Sequence, residues 1–125
     1  MPDLTQWTVM LVDDEPDSLF LLHDIFALNG AEVVETSSGQ EALNRIENVQ
    51  PTLVVLDLAM PRPDGWDVLA EIRAHPVMGA LPVVAVTAFY STPVVHQAQQ
   101  AGFDAIFQKP IRASSFVQQL KELVG

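Results

Sequence analysis

The chain has 125 residues, 49% of them apolar, and no cysteine, so it reads as one domain over 1–125 with a sizeable core and neither disulfides nor thiolate metal sites. No stretch reaches the ~20 apolar residues of a membrane span, and Met1-Pro2-Asp3 lacks the basic-then-apolar order of a signal peptide, so a cytoplasmic location is expected. Sixteen acidic against six basic residues give a net charge of -10, which speaks against direct binding of nucleic acid and suggests that some acids hold a divalent cation.

In chain order, Trp7 to Val12 reads as a first buried strand, stopped by Asp13-Asp14-Glu15-Pro16. A helix opening at Asp17 or Ser18 follows, with Leu19, Leu22, Ile25 and Phe26 at helical spacing and Asn29-Gly30 as its stop. Glu32 to Thr36 is a short second strand. After Ser37-Ser38-Gly39 comes a helix whose core face is Ala42, Leu43 and Ile46, broken at Pro51. Leu53-Val54-Val55-Leu56 is an uninterrupted apolar run, the pattern of a strand covered on both faces, and Asp57 ends it.

The segment Leu58 to Gly65, with Pro61, Pro63 and an Asp-Gly turn, is loop, and Trp66 to Ala74 returns to helix. Val83 to Val86 is another buried strand, ending at Thr87. Thr92-Pro93 reads as cap and first turn of a fourth helix running to Ala101, stopped by Gly102. Ala105 to Gln108 is a fifth strand before Lys109-Pro110. The last helix carries Phe116, Val117, Leu120, Leu123 and Val124 and uses the chain up, leaving no second domain. Five strands alternating with five helices predict an α/β fold, a doubly wound parallel sheet of order 2-1-3-4-5.

In such a sheet the carboxyl ends of the strands share one edge, where ligands bind. The sequence places Asp13, Asp14, Asp57, Thr87 and Lys109 there. Crowded carboxylates raise one another's pKa unless a cation intervenes, and Mg²⁺ or Mn²⁺ suits hard oxygen ligands. Lys109 is one of two lysines in the chain and stands at a strand end before a proline. A nucleophilic carboxylate, a metal site, a hydroxyl and a point-charge lysine make the inventory of phosphoryl transfer.

With Val12-Asp13-Asp14-Glu15, Leu56-Asp57 with Met60-Pro61 and Asp64-Gly65, Val86-Thr87-Ala88 and Lys109-Pro110 in this order, nearly the whole chain resembles the receiver domains of bacterial two-component response regulators. The resemblance implies the flavodoxin-like, CheY-like form of the fold. It implies that Asp57 accepts a phosphoryl group from a histidine kinase or a histidine phosphotransfer protein in a two-component system or phosphorelay. Asp14 and Asp57 would ligate Mg²⁺ directly, Asp13 through water, and the Ala59 backbone carbonyl would complete the protein's share. Thr87 and Lys109 would contact the phosphoryl oxygens, and the Lys109–Pro110 peptide would be cis. Such a domain promotes its own phosphorylation and dephosphorylation but turns over no external metabolite, and it signals through protein contacts.

Two departures stand out. Three residues before the lysine the family usually carries an aromatic that moves with the threonine; here Ile106 occupies that place, and strand alternation turns Phe107 to the opposite face. Ala59 and Phe89 offer no acid or amide to orient a hydrolytic water, which predicts a long-lived phosphorylated form.

Blander roles stay open for single residues. Asp13, Asp14 and Asp17 suit a helix N-terminus; Asp57 alone would be a turn acid, Thr87 a strand-end threonine and Lys109 a surface charge. His23, His75 and His96 lack ligand spacing and read as structural or solvated. Trp7 and Trp66 read as packing residues, with Trp66 near the site, and the glutamines of the last two helices as wet faces. Three other functions compete. An aspartate-nucleophile phosphatase would want an acid where Ala59 stands. A flavodoxin-like cofactor carrier would want a phosphate-cradling loop where Asp13 to Pro16 stands. A receiver-like docking module that is never phosphorylated would keep the fold without the chemistry.

Overall fold

A computed structural model describes residues 4–125; the reading of Met1 to Asp3 lies outside them. The elements are β1 (Thr8–Val12), α1 (Pro16–Leu28), β2 (Glu32–Thr36), α2 (Gly39–Val49), β3 (Leu53–Asp57), α3 (Gly65–Ala74), β4 (Val83–Thr87), α4 (Thr92–Ala101), β5 (Ala105–Gln108) and α5 (Ala113–Val124). The strands form one parallel sheet in the order β2-β1-β3-β4-β5. All five residues of β3 and of β4 are buried, as their unbroken apolar runs predict, whereas the edge strands β2 and β5 are only partly covered.

Strand alternation divides the core in two. Met10, Val12, Val54, Leu56, Val83 and Ala85 meet Ala42, Ile46, Val68, Leu69, Ile72 and Ala98 from α2, α3 and α4. Val9, Leu11, Val55, Val84 and Val86 meet Leu22, Ile25, Phe26, Phe116 and Leu120 from α1 and α5. On that second side Phe116 stands edge-on to Phe107, with ring centroids 4.8 Å apart, and to Phe26 at 5.7 Å. Ile106 packs on the α4 side and Phe107 on the α5 side, as alternation requires.

β1 begins at Thr8, one residue after the Trp7 start read from the sequence, and the other differences fall at helix starts. Helix α1 begins at Pro16, not at Asp17 or Ser18: proline is favoured at the first helical position, where its missing N–H costs nothing, and Glu15 accepts the first helical bond from Leu19 N–H. Helix α3 begins at Gly65 because Asp64 caps it, its carboxylate accepting from Asp67 N–H at 2.9 Å while the Asp67 carboxylate accepts from Asp64 N–H at 2.9 Å. At α4 the cap is Ser91, which accepts from Val94 N–H, and Thr92 already lies in the helix. Trp66 is half-buried, edge-on to Phe103 at 5.6 Å. Among the described residues no helix is long and apolar enough to cross a membrane.

Gly65 ties α3 to the end of β3. A Cβ there would stand 2.4 Å from the Asp57 carbonyl oxygen and 2.9 Å from Leu58 Cα, backbone atoms that move only with the strand. Alanine gains up to about 1 kcal/mol in helix propensity, but the overlap outweighs it. Gly65→Ala is expected to destabilise the fold by about 2 kcal/mol, measured by urea denaturation; an unchanged midpoint would show that the strand end gives way freely.

Candidate phosphoryl-acceptor and metal site

Four strand ends build the site. Asp13 and Asp14 follow β1, Asp57 and Thr87 are the last residues of β3 and β4, and Lys109 follows β5. Main-chain bonds extend the ladders beyond the strands: Asp13 N–H reaches Thr36 O at 3.2 Å, Leu58 N–H reaches Val86 O at 3.2 Å and Lys109 N–H reaches Thr87 O at 2.9 Å. The backbone under each functional side chain is therefore fixed by its neighbour.

Lys109 is the hub. Its Nζ lies 2.8 Å from Asp13 Oδ2 and 3.3 Å from Asp57 Oδ2. Asp13 is fully buried and satisfied: Oδ1 accepts from Glu15 N–H at 3.0 Å, and Oδ2 accepts from the Ser18 hydroxyl at 2.5 Å as well as from Lys109. Asp57 is 5% exposed, with Oδ1 accepting from Ala59 N–H at 3.1 Å. Thr87 is buried, and its Oγ1 accepts from Phe89 N–H at 3.0 Å, which leaves the hydroxyl proton free to be donated elsewhere. Asp14 is exposed.

The cleft above these groups has a volume of about 480 Å³, with Asp14, Asp57 and Lys109 among its polar walls and Leu21, Phe89 and Ile111 among its apolar ones. Ala59 also lines it. The Lys109–Pro110 peptide is cis, as the resemblance implies, and so is Arg62–Pro63, which the sequence reading had not singled out.

Burial pushes the Asp57 carboxyl up from its ordinary 3.8 to about 6; the Ala59 N–H opposes this, and the charge of Asp13 adds to it. Burial also pulls on Lys109, but the hydrogen bond and charge of Asp13, with the charge of Asp57, outweigh it and hold the ammonium above its usual range. The lysine is thus a fixed cation, and Asp57 carries the frustration of the site.

The donor set fits a hard divalent cation. Asp13, Asp14 and Asp57 each offer a carboxylate oxygen, and these atoms lie within 4.8 Å of one another. Every residue expected at the site is thus brought to this edge except Ile106, which lies within β5 among the core side chains on the α4 side.

Sequence reasoning missed Ser18. Its place five residues after Asp13, on the first turn of α1, was the available signal, but only the true helix start puts it under the carboxylate. The histidines stand elsewhere, as expected: His75 bonds Glu47, His23 lies 3.6 Å from Asp24, and His96 faces Gln100.

A parallel α/β sheet that gathers acids, a threonine and a lysine at its carboxyl edge defines a receiver-type signalling domain, and comparison with known proteins agrees. The model of the response regulator receiver domain matches residues 9–121, and the chain belongs to that family. The polar-differentiation response regulator DivK of Brucella ovis is 30% identical over 118 residues, covering 94% of this chain and 96% of its own. The receiver domain protein (CheY-like) from Methanospirillum hungatei JF-1 superposes with a TM-score of 0.83 at 26% identity, covering 94% of this chain and 93% of its own. Vibrio cholerae chemotaxis protein CheY4 shares the fold, with a TM-score of 0.87 at 20% identity over 94% of this chain and 98% of its own.

A raised acid destabilises the folded state wherever it is ionised. In the metal-free protein the Asp57 contribution is most favourable below 3.8, and it is lost as pH rises from there through about 6. Asp57→Asn is therefore expected to raise stability at pH 7 without divalent ions by on the order of 1 kcal/mol. Thermal melts in chelator over a pH series check this, and a lower melting temperature for the variant at neutral pH would contradict it.

Proposed function

We propose that Asp57 is the phospho-acceptor of this receiver domain, taking its phosphoryl group from a phosphohistidine on a histidine kinase or a histidine phosphotransfer protein in the cytoplasm. The observation that carries the reading is the shared reach of Lys109 to Asp13 and Asp57 at the mouth of one cleft. An Asp57 carboxylate oxygen attacks phosphorus, the bond from phosphorus to the imidazole nitrogen breaks, and the neutral imidazole leaves with its electron pair. Asp57 emerges as an acyl phosphate.

The chain's own residues position and neutralise. Ala59 N–H holds Oδ1 of Asp57 and so fixes the plane of the nucleophile. Lys109, already charged and in place, needs only a small shift to pair with an incoming phosphoryl oxygen. The Thr87 hydroxyl donates to another. Asp13, Asp14 and Asp57, with the Ala59 carbonyl, would hold Mg²⁺, which supplies charge neutralisation for the phosphoryl oxygens. Leu21, Phe89 and Ile111 form the apolar part of the rim.

The domain turns over no external metabolite on this reading. A phosphatase built on a strand-end aspartate would use a general acid two residues further on, and Ala59 has none to offer. The phosphorylated form instead biases a protein-binding surface. With Ile106 on the same face of the sheet as Ala85, in the core that Ala98 of α4 closes, the relay from Thr87 runs through aliphatic packing and not through a swinging ring.

Incubation with acetyl phosphate and Mg²⁺ is expected to add one phosphoryl mass, lost in chelator, abolished in Asp57→Asn and strongly reduced in Asp14→Ala. Intact-mass spectrometry reads all four. Unmodified protein in every condition would leave a docking module as the better account. The same assay, followed in time after donor removal, is expected to show an acyl phosphate lasting minutes or longer, because neither Ala59 nor Phe89 orients a water. Decay within seconds would contradict that assignment of the two residues.

A further inference from the structure

At the opposite end of the sheet, the amino ends of the strands, the turn between α3 and β4 is wrapped around two side chains of α3 and its cap. Proline at position 76 forces the residue before it out of the helical region, so α3 ends at Ala74 and His75 is extended, with φ -71° and ψ 130°. The imidazole then folds back over the turn. Its Nδ1 accepts from Val77 N–H and from Met78 N–H, both at 3.1 Å, and its Nε2 lies 2.9 Å from Glu47 Oε1 on α2. Two donors aimed at Nδ1 fix the tautomer: Nδ1 is bare, and Nε2 carries the proton given to Glu47.

The second half of the turn is held differently. Arg73 Nη1 donates to Gly79 O at 3.1 Å and Leu81 O at 2.7 Å, while Nε and Nη2 donate to Gly102 O at 3.1 and 2.8 Å and Nη2 pairs with Asp104 at 3.0 Å. A guanidinium keeps its charge throughout the accessible pH range. The charged groups around the turn are thus Glu47 from α2, Arg73 from α3 and Asp104 from the α4–β5 turn.

We infer that residues 75–81 form a proton-operated clasp: neutral His75 closes it, and a proton on Nδ1 releases Val77 and Met78 while the Arg73 half stays fastened. A protonated Nδ1 becomes a donor that faces two N–H donors, so both bonds are lost together. The Glu47 side acts in the opposite sense, because Nε2 donates in either state and the imidazolium is drawn more strongly to the carboxylate. One proton thus detaches the ring from the turn and tightens it on α2.

The consequence is local exposure of apolar surface. Met78 and Leu81 pack on the core shared by α2, α3 and α4, and the cleft beside them, about 700 Å³, includes Glu47, Pro51, His75, Val77, Met78 and Leu81 in its walls. Val77 is already 85% exposed. Freeing the first half of the turn removes the tether that keeps Met78 on the core and widens that cleft, far from the strand ends that carry Asp57.

The test is an NMR titration of the full chain, following the His75 ring together with the amide shifts and exchange protection of Val77 and Met78, with rates corrected for intrinsic pH dependence. As the ring takes up its proton, both amides are expected to move with it and to lose about tenfold in protection. Val83 N–H, held by Asp104 at 2.9 Å, is expected to stay unchanged. His75→Asn supplies an acceptor oxygen in place of Nδ1 that does not titrate, and it is expected to keep the turn closed and flatten the pH response. Amides that ignore the ring, a Val83 amide that moves with them, or the same pH response in His75→Asn would each overturn the clasp.

Discussion

Two buried carboxylates within reach of one ammonium set the terms for this domain. Asp13 and Asp57 are almost wholly removed from water at the ends of the apolar, buried runs Val9 to Val12 and Leu53 to Leu56. Left to themselves they would repel, and one would stay protonated. Lys109 relieves most of that repulsion but divides itself unevenly: it sits closer to Asp13, which also collects a hydroxyl and a main-chain N–H, than to Asp57. Asp13 thereby accepts three hydrogen bonds and Asp57 two, so Asp57 is the less satisfied of the pair. The two acids are chemically alike and differ in how they are satisfied.

The strand period carries this arrangement into the sequence. Residues 9 and 11, 53 and 55, and 107 contribute to the core on the α1 and α5 side, and Asp13, Asp57 and Lys109 continue those same odd rows. Three functional side chains thus inherit one direction from the alternation that buries the core below them. A one-residue register slip in any of the three strands would send its functional group to the other face. The uninterrupted apolar runs of β3 and β4 therefore hold the site's geometry as well as the fold.

That dependence explains what was legible in the chain. Strand runs, helix periodicity and the residues closing each run gave the element order, the sheet order and the positions of Asp13, Asp14, Asp57, Thr87 and Lys109, because all of these follow from local pattern plus one topology. The placement of Ile106 and Phe107 on opposite faces follows from alternation alone. What failed was finer than one turn of helix. Ser91 and Thr92 are both cap-type residues, and only the backbone shows which one accepts from the helix. The grip of Ser18 on Asp13 depends on starting α1 at Pro16, and the bonds of Arg73 to Gly102 and Asp104 join residues about thirty positions apart, with no motif to announce them.

Those bonds of Arg73 also decide how α4 is carried. Ala98 is the one residue of α4 that is fully buried, so side-chain packing holds this helix lightly. Its far end is fixed, because the Gly102 carbonyl takes two bonds from the guanidinium and Phe103 is buried against Trp66. Its near end follows the loop in which Thr87 Oγ1 accepts from Phe89 N–H. On the proposed reading, a Thr87 hydroxyl that turns toward a phosphoryl group on Asp57 would alter the loop that leads into this end of α4. From α4, Ala98 is buried in the core and Val94 packs against it partly buried, so this helix contributes little to the interior. Ile106, partly buried against the same core, puts an aliphatic side chain and not an aromatic ring on that face of β5.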